Sequence, residues 1–189
     1  MPLYRGYWKT LTRSYRAGAL RMLLAQLKLE LDHLDLRIDE ADAVIKKTAH
    51  ENEACRRLVA IPGIGPVTAT AVIAAIGNGG AFRKGRKFTA WTGVVPREHS
   101  AGGKQKLLGI SKRGNSYLRR LFVQGARAVL QQRAKQSSRL SRWLAQLTSR
   151  THRNVAGVAL ANKLARMAWA VLAKNEQYRP PVSADVAAA

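Results

Sequence analysis

Acidic residues are what this sequence has least of where they would matter most. Eleven occur in 189 residues, against 33 Lys and Arg, for a formal net charge of +22. From Ala54 to Ala173 there is one, Glu98, against 22 Lys or Arg. A domain so composed repels itself unless a polyanion is close by, so nucleic acid is the expected partner. The shortage also excludes a chemistry. A two-metal nuclease needs several convergent carboxylates, and residues 54–173 cannot supply them. His33, His50, His99 and His152 are scattered without ligand spacing. The single cysteine, Cys55, excludes a disulfide framework and a cysteine-rich zinc site. No metal site is expected on this chain.

Long apolar runs are missing too. The longest, Val67 to Gly77, is too short to span a bilayer. The N-terminal MPLYRGYWKTLTRSYRAG has aromatics and bases but no apolar signal core. Nor does it form a basic amphipathic helix with a Trp/Phe face of the kind that lies on anionic lipid. The expected location is cytoplasmic and nucleoid-associated, with no membrane partner.

What the chain does contain is helical periodicity. Leu20, Leu24, Leu27, Leu31, Leu34, Ile38, Ala41 and Ile45 alternate in steps of four and three, a heptad seam. No Pro or Gly interrupts residues 19–60, so one helix is expected to run to about Ala60. Its seam fits a coiled coil, with a helix packed in its own bundle as the alternative. Most of the acids sit on this helix. Beyond it, IPGIGP (61–66) stops one helix and Pro66 opens the next, 67–77. Phe88, Trp91, Val94 and Val95 mark a short helix ending at Gly93. Asn115 is placed as the N-cap of a helix from Ser116, with Tyr117, Leu118, Leu121 and Phe122 on its apolar face. Two further helices are expected over 137–150 and 155–174. No strand pair is read, and PREHSAGGKQKLLGISKRGN (96–115) reads as a basic glycine-rich loop. The class is all-α, a long coiled-coil helix before a compact helical domain. The division is a remnant over 1–18, coiled coil over 19–56, the main domain over 57–175 and a disordered tail over 176–189.

Two stretches carry candidate chemistry. In LVAIPGIGPVTATAVIAAIG the helix, G-x-G turn and second helix form a helix-hairpin-helix pattern. Gly63 and Gly65 would let backbone approach a phosphate, and the next helix would present its N-terminal amides. Such a contact positions a duplex and reads no sequence; an ordinary helix–helix turn is the alternative. In 96–115, Arg97, Lys104, Lys106, Lys112 and Arg113 can wrap a phosphate backbone, and Arg119 adds a cation on the helix that follows. A serine among these cations either donates a hydrogen bond to phosphate or attacks it. His99, next to Ser100, is a candidate to take the proton.

The run from IPGIGP through FRKGRKFTAWTGVVPREHSAGGKQKLLGISKRGNSYLRRLFVQGARAVL resembles the C-terminal domain of the insertion-sequence family 110/116/902 transposases. The resemblance covers about residues 57–130. It rests on the helix-hairpin-helix, the W-x-G-x-x-P segment (Trp91, Gly93, Pro96), the serine-glycine loop and SKRGN-x-x-LR, in that order; the preceding coiled coil also fits. It implies a recombinase in which a RuvC-like half supplies the acidic metal ligands, so a divalent metal is expected there and no cofactor here. It further implies a serine that links covalently to DNA, and a structured guide RNA as partner. That serine carries over to Ser100, although Ala101 stands before Gly102 where the family often has serine followed directly by glycine. Ser111 is the runner-up. The RuvC-like half is not recognisable in residues 1–18, which implies a chain inactive alone, working as a homo-oligomer through the coiled coil or with an intact transposase. Two other readings stay open: a non-catalytic DNA- or RNA-binding module that dimerises, and a basic ribosome-associated protein.

Overall fold

The computed structural model describes residues 18–99, 106–132 and 139–179. Among these, seven helices and one two-stranded antiparallel hairpin are present, so the all-α class holds. The chain divides into two compact units, Met1–Val44 and Ile45–Ala189.

Helix α1, Gly18–Glu51, accounts for the described part of the first unit. Its seam residues Leu27, Leu31, Leu34 and Ile38 are exposed. The helix stops earlier than the absence of Pro and Gly suggests. Asn52 takes an extended conformation and its side chain accepts the Cys55 N–H at 3.1 Å, which caps a separate helix α2, Glu53–Val59. An asparagine side chain competes for backbone donors and is a favoured N-cap, so Asn52 starts a new helix where the first would otherwise continue.

In the second unit, α3 spans Pro66–Ile76, with Pro66 in its first turn and Gly65 as N-cap. Helix α4, Gly85–Thr92, ends at Gly93, which is left-handed with φ +72°. Strands β1, Pro96–Glu98, and β2, Leu107–Ile110, pair antiparallel, Pro96 opposite Ile110 and Glu98 opposite Leu107. This pair corrects the expectation of a plain loop. Three and four residues are too few to show a period of two, and one strand opens on proline. Helix α5 covers Ser116–Gln132, α6 Arg139–Arg150 and α7 Arg153–Ala173.

The core gathers on α7, which packs against α2, α4, α5 and α6. Leu160, Leu164, Ala165 and Ala168 of α7 meet Leu118 and Phe122 of α5 and Phe88 of α4 in one apolar cluster. Phe88 stands edge-on to Phe122 at 6.1 Å and to Phe82 at 5.5 Å, geometries that suit the ring quadrupoles. Tyr117, placed on the apolar face by its sequence position, is exposed instead. By length and composition α7 could cross a membrane, but nine of its residues are buried in this core. The Trp169 indole N–H, shared between the Gly79 and Phe82 carbonyls at 3.2 and 3.1 Å, pins the glycine-rich 77–82 turn to α7.

One capping expectation has a measurable size. The Asn115 side chain accepts the Leu118 N–H at 2.9 Å. Asn115→Ala is expected to cost about 1 kcal/mol, read as a lower denaturant midpoint at unchanged m-value. A midpoint shift near zero would show that the cap contributes nothing.

Candidate nucleic-acid interface

The residues on either side of the hairpin are bound backbone to backbone. Ser111 N–H donates to Val95 O at 2.8 Å, Lys112 N–H to Gly93 O at 3.2 Å, and Asn115 N–H to Trp91 O at 3.0 Å. Two glycines permit the approach. A Cβ on Gly93 would lie 2.1 Å from Arg113 O, and one on Gly114 would lie 1.8 Å from Trp91 O. Both are at positive φ, and Lys112 is also left-handed with φ +56°. The W-x-G-x-x-P and SKRGN segments therefore form one knot at the root of the hairpin. Arg119 closes it: its Nη1 donates to Thr92 O at 3.1 Å and to Arg113 O at 3.3 Å. The sequence suggested Arg119 as a phosphate contact; in the fold its guanidinium holds the knot.

From this root the hairpin runs outward. His99 N–H donates to Lys106 O at 2.9 Å, the outermost described pairing. Arg97 lies on β1, where the register shifts between Pro96 and Glu98, and His99 follows the strand directly. Arg97, His99, Lys106, Lys112 and Arg113 are all exposed. Ser100 and Lys104 lie outside the described residues. Ser111 sits at the root with its Oγ buried and without a hydrogen-bond partner among the described residues. About four residues separate it from His99 along the hairpin, roughly 13 Å at strand rise.

The second stretch divides its two glycines between different tasks. Gly63, with φ +86°, faces α5: a Cβ there would lie 2.8 Å from Val129 Cγ2 and 2.9 Å from Gly125 O. From the other side, a Cβ on Gly125 would lie 1.9 Å from Gly63 O. Gly63 is thus consumed by close packing of the turn on α5. Gly65 has no atom within 4 Å of its Cβ position and caps the eleven-residue α3. Of the two, Gly65 is the one left open to a phosphate.

Among the described residues no three His, Cys, Asp or Glu side chains come together as metal ligands, so the donor set of a divalent metal is not assembled there. Burial raises the Cys55 thiol above its ordinary range, which keeps it protonated and unreactive. Lys163 is lowered, first by desolvation and then by the neighbouring Arg166. Neither Lys163 nor Arg166, nor Lys84 and Arg86 on α4 and its cap, was singled out from sequence. They converge from positions some 80 residues apart, and no local pattern marks them.

Comparison with known proteins points the same way as the motifs. Residues 55–142 match the model of the "Transposase IS116/IS110/IS902 family". The chain is 48% identical over 158 residues to a "Probable family 20 transposase" of Pseudomonas aeruginosa, covering 84% of this chain and 47% of that protein. It is 43% identical over 160 residues to the "Transposase for insertion sequence element IS1111A" of Coxiella burnetii, covering 85% of this chain and 44% of that protein. A more distant relative, at 28% over 138 residues, is the "Pilin gene-inverting protein" of Moraxella bovis, with 71% of this chain and 42% of that protein covered. The chain spans less than half the length of these relatives. The knot of Gly93, Gly114 and Arg119, the hairpin it carries and the turn packed on α5 are accordingly parts of a domain of the transposase IS116/IS110/IS902 family.

Proposed function

We propose that the second unit is the DNA-engaging part of a transposase and that the hairpin carries its nucleophile, Ser100. The observation that carries this is the rigid root of the hairpin. Two glycines and an arginine fix a short basic projection on the helical core, and a reacting group gains most when its support is rigid. The relatives support the class of reaction: two are named transposases and a third a gene-inverting protein.

In the proposed step the Ser100 Oγ attacks a DNA phosphorus. An Oγ–P bond forms and a P–O bond to one deoxyribose breaks. The serine proton passes to a base, for which His99 is the neighbouring candidate, and the departing sugar oxygen takes up a proton. Arg97 and Lys106 counter the charge that builds on the phosphoryl oxygens. Lys112, Arg113 and the Gly65 end of α3 hold flanking phosphates without reading sequence. Lys104 belongs to the same basic set by its position in the chain. A structured guide RNA and a second copy, paired through the α1 seam, are the further partners of this reading. Its place of action is the nucleoid.

The test is recovery of a covalent protein–DNA adduct from element-end DNA under denaturing conditions, with the remaining length of the relatives supplied by an intact member lacking its own nucleophile. No adduct on any end sequence would overturn the reading. Binding itself has a separate expected outcome. Affinity should fall linearly in log salt, and replacing Arg97 and Arg113 by Glu should reduce the slope by about 0.9 for each phosphate that is no longer neutralised. A slope unchanged in the double variant would remove these two residues from the interface.

A further inference from the structure

The second unit contains a groove of about 1410 Å³ that the hairpin, α4, α6 and α7 enclose. Its floor is aliphatic, built by Val94, Ile110, Val158, Met167 and Ala170. Its border is cationic: Lys84, Arg86, Lys163, Arg166 and Lys174. Among the described residues no Asp or Glu lines it. Two aromatics reach it: Trp143, with Lys163 Nζ 4.4 Å from the ring centroid, and Trp169, whose ring lies against Gly85 and whose indole N–H is taken by the Gly79 and Phe82 carbonyls. That leaves the groove poor in free aromatic faces of the kind on which unstacked bases settle. An aliphatic floor with a positive border suits leucine side chains flanked by carboxylates.

This chain contains such a surface. On α1 the heptad seam occupies one side of the helix. The opposite side carries Met22, Leu29 and Leu36 at steps of seven, with Asp32, Asp39 and Glu40 beside them. Leu29 is 69% exposed and Leu36 63%, and they stand about 10 Å apart along the axis. By helical angle no Lys or Arg falls at the centre of this side between residues 22 and 43; Lys28, which pairs with Asp32, and Arg37 stand at its two edges. A coiled coil on the seam would leave this side outward. The helix thus has two apolar faces, and the seam accounts for only one.

We propose that the groove receives the outer face of α1 from a second copy of the chain, with Leu29 and Leu36 on the aliphatic floor. Asp32, Asp39 and Glu40 then meet the cationic border. The occupant follows from charge complementarity: six of the eleven acids in the chain lie between Glu30 and Asp42, and the groove is bordered by cations alone. The contact is distinct from a seam-to-seam coiled coil and can exist alongside one.

Cysteine crosslinking between differently marked full-length chains tests this, in a Cys55→Ala background. One chain carries Leu36→Cys and the other Ala159→Cys, on the groove wall. A short bis-maleimide is expected to join them at least tenfold more than it joins Leu36→Cys to Ser149→Cys, an exposed α6 position outside the groove. Reversing Asp32, Asp39 and Glu40 to Lys should abolish that excess, and Lys163→Glu with Arg166→Glu in the other chain should restore it. Equal yields at 159 and 149 would overturn the proposal. So would an excess untouched by charge reversal. Protection of Ala159→Cys from maleimide by an oligonucleotide, but not by a second copy, would assign the groove to nucleic acid and overturn it as well. Val158→Cys is the second groove position, used if Ala159→Cys fails to fold.

Discussion

Gly114→Ala is expected to destabilise the protein by at least about 3 kcal/mol and to lower Tm by roughly 6–12 °C. Two costs combine. Gly114 is at φ +81°, a conformation that costs an L-residue about 1–2 kcal/mol. The added Cβ would also stand 1.8 Å from the Trp91 carbonyl oxygen, a backbone atom that cannot swing aside as a side-chain tip does. Relieving the clash means parting the chains and breaking the Asn115 N–H to Trp91 O bond. The control is Gly109→Ala on β2, where no atom lies within 4 Å of the Cβ position. It should stay within about 1 kcal/mol of the parent. Differential scanning calorimetry on the three proteins decides the matter. Equal melting temperatures for the two variants would show that the root of the hairpin is not locked as described.

The second large effect is chemical. With Ser100 as the proposed nucleophile, Ser100→Ala should reduce covalent DNA adduct by a factor on the order of 10³ or more, because the substitution removes the attacking atom itself. Binding affinity for the same DNA should stay within a few-fold. Ser111→Ala should leave adduct formation within about tenfold of the parent. Its effect on stability has a distinctive sign. The Ser111 Oγ is buried without a partner among the described residues, and removing an unsatisfied buried hydroxyl is neutral or favourable. Ser111→Ala should therefore melt at or slightly above the parent temperature. If Ser111→Ala abolishes the adduct and Ser100→Ala does not, the nucleophile sits at the root of the hairpin, and the unpartnered hydroxyl would be its resting state.

The parts of the fold that could be read from sequence are those marked by local chemistry. Pro66 and Gly65 bracket the start of α3, Gly93 ends α4, and Asn115 caps α5, each through an interaction spanning four residues or fewer. Asn52 obeys the same rule but stands in a stretch with no Pro or Gly from 19 to 60, which reads as one continuous helix. What stayed illegible depends on separation. Gly63 and Gly125 lie 62 positions apart and meet because α5 passes under the turn. Arg119 looks like a surface cation until Thr92 and Arg113 turn their carbonyls toward it. The groove draws its border from Lys84 to Lys174. Of the candidate site, the basic segment and its serines were visible at once, whereas the reason it is rigid was not.

The close approach of Gly63 to Gly125 gives α5 a second office. One end of this helix, at Asn115, is tied to Trp91 and so to the hairpin; ten residues on, Gly125 is seated against the turn that leads to Gly65. At 1.5 Å per residue the interval is about 15 Å. On the reading proposed above, in which the hairpin and the Gly65 end of α3 both meet DNA backbone, a rigid rod of that length would act as a ruler: the two segments could grip a duplex only at phosphates separated by a matching span, about four base-pair steps at 3.4 Å each. Register on DNA would then be measured out by the protein before any base is read.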